Sequence, residues 1–160
     1  MKDEVLKSAQ ELVALLKSKN LKIATAESCT GGMVSAYLTA VPGASQIIEM
    51  GLTTYSNRIK NEVLGVDSNT LETEGAVSCE TATQMAQNIR KLSGADIGVS
   101  VTGVAGPDGQ DGYSAGNVFV AISYRDCTNA TLLTIDPRDR NYVREQAVLQ
   151  LFNKVTELIK

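Results

Sequence analysis

"LKIATAESCTGG", Leu21 to Gly32, runs from a short apolar segment into two hydroxyls, a thiol and a carboxylate set against two glycines, and the apolar "MVSAYLTA" follows directly. An apolar run of strand length that meets a glycine pair and then a helical pattern reads as strand, turn, helix. The same alternation continues outward on both sides. Upstream, Val5, Leu6, Ala9, Leu12, Val13 and Leu16 recur at helical spacing, which predicts an amphipathic helix over 3–18 ended by "KSKN". Downstream, "GGMVSAYLTA" is a helix stopped by Pro42-Gly43, "IIEMGLTTYS" a strand, and "NRIKNEVL" a short helix capped by Asn57. Ser78 is the expected N-cap of a helix running to Leu92. "ADIGVSVTG" is a strand, "VAGPDGQDGYSAG" a loop, and "NVFVAISY" and "ATLLTID" form a hairpin across "RDCTN". Asp136 is expected to cap and Pro137 to open the last helix, with Val143, Ala147, Leu151, Val155 and Leu158 on one stripe.

Helices alternating with mostly apolar strands predict a sheet covered on both faces. The 160 residues suit one domain without a linker or internal repeat. A hydrophobic share of 43%, a charged share of 21% and a net charge of -3 describe a globular chain without the clustered lysine and arginine that bind nucleic acid. The first 20 residues carry charges among their apolar positions, so neither a signal peptide nor a membrane span is expected, and the cytoplasm is the expected location. Cys29, Cys79 and Cys127 lie far apart and form no C-x-x-C pair. Reduced thiols and no metal or cofactor are therefore expected.

In an open sheet of this kind ligands gather beyond the carboxyl ends of strands. Three segments meet that criterion: "AESCTGG", "TTYSNRIK" and "TGVAGPDG". In the first, Ser28 or Thr30 before two glycines is a helix N-cap on local grounds. The same position gives a nucleophile unpaired backbone N–H groups for a developing negative charge. Ser28 and Cys29 compete for that role, and one of two neighbouring side chains must point away. The chain has no histidine, so an imidazole base is ruled out. Lys60, on a short helix, is either a solvated surface group or, when desolvated, a general base; Tyr55 either relays a hydrogen bond or buries its ring. The third segment lacks the G-K-[ST] ending of a Walker A loop, and its glycines with Thr102 are either a plain turn or a nest for an anion. Arg138, Arg140 and Arg144 crowd the start of the last helix, where cations oppose the helix dipole and call for an anionic partner.

Taken in order, "AESCTGG", "TTYSN…K", "GAVS", "TGVAGPDG" and "DR…VREQA" closely resemble the CinA C-terminal domain family, which includes free-standing nicotinamide-nucleotide amidohydrolases; the resemblance runs from about Leu21 to Leu151. It implies a three-layer α/β/α sandwich around a mixed, mostly parallel sheet, a stand-alone domain over 1–160, and a homo-oligomer. It further implies hydrolysis of nicotinamide mononucleotide to nicotinic acid mononucleotide and ammonia by a serine and a lysine. By motif position Ser28 is the nucleophile, Lys60 its base and Tyr55 the hydroxyl that links them. Cys29, Thr30, Gly31, Gly32, Thr102, Gly103, Ala105 and Gly106 fall in the substrate-binding motifs, and Arg140, one helical turn before Arg144, is the expected phosphate or carboxamide-side ligand. The chain departs from the family pattern at Glu74, where histidine is common, at Tyr113 to Gly116, where "YSAG" replaces "KPVG", and at Asn117, where threonine is usual. A nucleotide-binding module without turnover and an amidase for a different carboxamide are the alternative readings.

Overall fold

The strand predicted at the start of the quoted stretch is the centre of the sheet. In the computed structural model, which describes residues 1–160, β1 (Ile23–Glu27) pairs in parallel with β2 (Ile48–Thr53) on one side and β3 (Ile97–Gly103) on the other. The sheet then turns antiparallel through β4 (Asn117–Tyr124) and β5 (Cys127–Thr134), giving the order β2-β1-β3-β4-β5. Every residue of β1 is buried, which is why that strand reads as an unbroken apolar run instead of an alternating one.

Helices α1 (Asp3–Ser18), α2 (Met33–Thr39) and α6 (Arg140–Ile159) cover one face, where Leu12, Leu16, Val34, Leu151 and Phe152 pack on Ile23, Val99, Val101 and Val120. Burying each large apolar side chain there contributes roughly 2 kcal/mol. The other face is covered by α3 (Asn57–Glu62), α4 (Ser68–Thr73) and above all α5 (Cys79–Ser93), over a surface of small residues: Ala24, Ala26, Gly98, Ser100 and Ala121. Small residues let α5 lie close to the strands. Ser100 Oγ donates to the carbonyl of Ala82 at 2.6 Å, and a Cβ on Gly98 would overlap the carbonyl oxygen of Ala86. Helices on both faces of a mixed sheet make the expected three-layer sandwich. No helix is long and apolar enough to cross a membrane.

Four local expectations are corrected. Ser56, not Asn57, caps α3, its side chain accepting from the Ile59 N–H at 3.3 Å. Asp139, not Asp136, caps α6 by accepting from the N–H groups of Asn141 and Tyr142, each at 2.9 Å; Asp136 is instead bound to Arg138 at 2.8 Å, and Pro137 precedes the helix. The β4–β5 hairpin is tighter than "RDCTN" suggests, because Tyr124 already pairs with Cys127 and Arg125 supplies the left-handed residue (φ 53°) of a two-residue turn. Helix α4, capped by Asp67, was not anticipated at all.

Candidate active site

The carboxyl ends of β1, β2 and β3 open on a cleft of about 380 Å³, a size that suits a small organic ligand. Ser28, Tyr55, Lys60, Thr102, Gly103, Ala105, Gly106 and Arg140 all line it, so the three segments singled out from the sequence do meet.

Ser28 continues β1 and is tied to β3, its N–H donating to the carbonyl of Val101 at 2.9 Å. Neither it nor Thr30 caps α2. That helix begins after Gly32, and its first N–H groups go to the buried carboxylate of Glu27 at the end of β1, which accepts from Gly32 and Val34 at 3.0 Å each and from Ser35 at 2.9 Å. The Thr30 hydroxyl donates to the same carboxylate at 2.7 Å and the Ser35 hydroxyl at 3.0 Å. The start of α2 is thereby already occupied by an anion, and it has no donors left for a ligand. Between strand and helix the chain reverses through Gly31 (φ 59°) and Gly32 (φ 96°), which is the conformational need those glycines meet. Thr30, Gly31 and Gly32, expected among the substrate-binding residues, do not line the cleft, and the Thr30 hydroxyl and Gly32 N–H are spent on Glu27.

Cys29 points the other way from Ser28. Its side chain belongs to the core between the sheet and α6, and burial pushes its thiol up to about 12, so it is a neutral core group and not a thiolate. Two carbonyls of the turn are gripped from α6: Arg144 donates from Nε to Cys29 O at 3.1 Å and from Nη2 to Thr30 O at 2.8 Å.

Lys60 is fully buried although it lies on a short, otherwise exposed helix. Its Nζ is 3.0 Å from Ser28 Oγ, and it donates to the carbonyls of Thr54 at 2.8 Å and Tyr55 at 3.3 Å. Burial away from water lowers its pKa from 10.5 to about 8, against opposing pulls from Cys29 and Asp111. When the amine is neutral its two N–H groups stay on the two carbonyls, and the lone pair faces the serine. The Tyr55 hydroxyl does not stand between Ser28 and Lys60, as the motif had suggested. It lies at the exposed rim, where it accepts from Arg140 Nη2 at 2.9 Å.

Arg140 joins that rim to the glycine loop, donating from Nη1 to the carbonyl of Gly106 at 2.6 Å. The loop is held on its far side by Asp111, whose carboxylate accepts from the Val77 N–H at 3.0 Å, and from beneath by Thr102, whose hydroxyl donates to Ala76 O at 2.7 Å. Its backbone N–H groups at Ala105 and Gly106 make no hydrogen bond within the chain. Tyr113 stacks edge-on against Phe119 at 5.3 Å, and the Asn117 amide donates to Ser114 O at 3.1 Å. Both of these departures from the motif pattern brace the loop outside the cleft, and Glu74 ends α4 on the exposed surface. No three cysteine, aspartate and glutamate side chains come together as a metal site.

Sequence reasoning missed the structural use of Glu27 and Asp111. A carboxylate closing an otherwise apolar buried strand was the available signal for Glu27. Asp111, in a glycine-rich polar loop, carried none.

The family model described as the CinA C-terminal domain matches residues 5–159. A protein of Acetivibrio thermocellus named as a competence-damage inducible protein is 46% identical over 146 residues, which make up 91% of this chain and 35% of that protein. The chain spans about a third of the length of the curated relatives it matches. Among solved structures, the competence or damage-inducible protein from Enterobacter asburiae superposes with a TM-score of 0.94 at 34% identity, over 99% of this chain and all (100%) of that one. A competence/damage inducible protein from Agrobacterium tumefaciens gives 0.95 at 32% identity, over 100% and 98% of the two chains.

Proposed function

The chain belongs to the CinA C-terminal domain family, and from that premise we propose that its cleft hydrolyses the carboxamide of nicotinamide mononucleotide, with Ser28 as nucleophile and Lys60 as base. The observation that carries the reading is the buried amine of Lys60, 3.0 Å from Ser28 Oγ and lowered to about 8. At neutral pH roughly a tenth of the molecules then hold a free base, against about one in a thousand or fewer for an unperturbed lysine. Neutral Lys60 takes the hydroxyl proton as Ser28 Oγ bonds to the carboxamide carbon. The resulting ammonium returns that proton to the departing nitrogen, the C–N bond breaks, and ammonia leaves an ester on Ser28. Water, deprotonated by the same amine, adds to the ester carbon, the bond to Ser28 Oγ breaks as Lys60 returns the proton to that oxygen, and the carboxylate product leaves. The nucleotide substrate rests on the family resemblance, and the unpartnered amides of the glycine loop, beside Arg140, suit its phosphate.

The test is incubation with nicotinamide mononucleotide: equimolar ammonia and nicotinic acid mononucleotide are expected, and neither from Ser28→Ala. Thermal stabilisation by the nucleotide without ammonia would make the chain a binding module. Turnover of phosphate-free amides alone would make it an amidase of another class.

A further inference from the structure

We infer that Arg144 is a positioning residue that builds the oxyanion hole from behind, by holding two consecutive carbonyls of the Ser28 turn and so setting the Cys29 N–H beside the nucleophile. The inference rests on Ser28 being the nucleophile.

All three carbonyls of the turn are pinned. Ser28 O accepts from the Gly31 N–H at 3.0 Å, Cys29 O accepts from Arg144 Nε at 3.1 Å, and Thr30 O accepts from Arg144 Nη2 at 2.8 Å. A trans peptide is planar, with its C=O and N–H pointing in opposite directions. Fixing Thr30 O therefore fixes the Gly31 N–H that donates to Ser28 O, and fixing Ser28 O fixes the Cys29 N–H; the grip on Cys29 O steadies the peptide between them. The Cys29 N–H donates to no other residue, whereas those around it are used: Ser28 on Val101, Gly31 on Ser28, and Gly32, Val34 and Ser35 on Glu27. Cys29 lines the cleft next to the serine.

Arg144 suits the task because a guanidinium presents a rigid planar fork that can hold two acceptors at once. Its remaining nitrogen, Nη1, is held by the Asn141 side chain at 2.9 Å, which sets the fork from the first turn of α6. Arg140 and Arg144, neighbours on one helix face, thus divide the labour. Arg140 faces the cleft mouth, and Arg144 works through the backbone without touching a ligand.

The experiment measures the rate at which a fluorophosphonate modifies Ser28, followed by intact mass. In that reaction the Oγ–P bond forms, fluoride leaves, and Lys60 takes the proton. The Ser28 adduct places a phosphonyl oxygen where the oxyanion would lie. Arg144→Lys, which keeps the charge but lacks the rigid planar fork that spans both carbonyls, is expected to slow labelling about 100-fold, the order seen for loss of one oxyanion donor. Its Kd for nicotinic acid mononucleotide and its melting temperature should change little. Arg144→Ala should regain labelling when millimolar guanidinium is added. Labelling of Arg144→Lys at the wild-type rate would overturn the inference. So would a loss of rate that follows only a lowered melting temperature and is not rescued by guanidinium. Wild-type labelling without turnover of nicotinamide mononucleotide would remove the proposed substrate and leave the Arg144 comparison standing; no labelling of Ser28 in the wild type would overturn both.

Discussion

Lys60 Nζ stands 3.0 Å from Ser28 Oγ with no side chain between them. One residue comes from a helix that follows β2, the other from the end of β1, and the parallel pairing of those strands brings them together across 32 positions of sequence. In the proposed mechanism this contact does the work of an imidazole, in a chain that has no histidine.

The contact sets the first expectation. Ser28→Ala should lose at least about a thousandfold in kcat while still binding nicotinic acid mononucleotide, because the hydroxyl acts in the chemistry and little in ground-state affinity. Cys29→Ala should keep turnover and lose about 1 kcal/mol of stability from the core it helps to fill. An inactive Cys29→Ala beside an active Ser28→Ala would reverse the assignment.

Glu27 offers a test in stability. Its carboxylate serves as the acceptor for three backbone N–H groups and two hydroxyls, and Glu27→Gln replaces one oxygen by an NH2 that faces donors. A loss of roughly 2–4 kcal/mol in denaturant unfolding is expected. A variant as stable as the wild type would mean that the start of α2 is held by something else.

Much of this was legible in the sequence and some was not, for local reasons. The burial of β1 and β3 and the glycine-rich loop follow from apolar runs and turn chemistry, which act over a few residues. Helix α4 was missed because "SNTLET" has a single buried apolar position, Leu71, and so shows no period. Which cap is used at α3 and α6 was misjudged because neighbouring residues, Ser56 and Asn57 or Asp136 and Asp139, are all good caps, and the path of the chain decides between them. The local sequence leaves Lys60 open between a surface lysine and a buried base, because the groups around its amine, Ser28 and the carbonyls of Thr54 and Tyr55, come from outside its own helix.

Gly98 tests the close packing of α5. Gly98→Ala drives a methyl into the Ala86 carbonyl and the Arg90 side chain, and about 2–3 kcal/mol of stability should be lost by overpacking. An unchanged melting temperature would show that α5 has room to move away.

Arg140 should separate recognition from chemistry. Because it holds Gly106 O and the Tyr55 hydroxyl at the mouth of the cleft, Arg140→Ala is expected to raise KM for the mononucleotide at least about tenfold more than for the corresponding riboside. Equal changes on both would assign Arg140 to the loop alone.

The buried lysine also predicts how stability varies with pH. Its folded pKa, about 8, lies below the ordinary 10.5. Burying the ammonium therefore destabilises the fold fully below pH 8, and that cost is relieved as pH rises from 8 to 10.5. Relative to Lys60→Met, the wild type should gain up to roughly 3 kcal/mol across that window. A constant difference between the two would mean that Lys60 titrates as an ordinary lysine.

The most direct measurement is the pH dependence of kcat/KM for ammonia release from nicotinamide mononucleotide, taken for the wild type and Lys60→Met between pH 6 and 10. The wild-type rate should rise with pH and level off above an ionisation near 8, since the reacting form carries the neutral amine. In Lys60→Met the rate should fall by at least about a thousandfold and the limb should disappear. A methionine variant with near-normal turnover and the same limb would contradict the serine–lysine account.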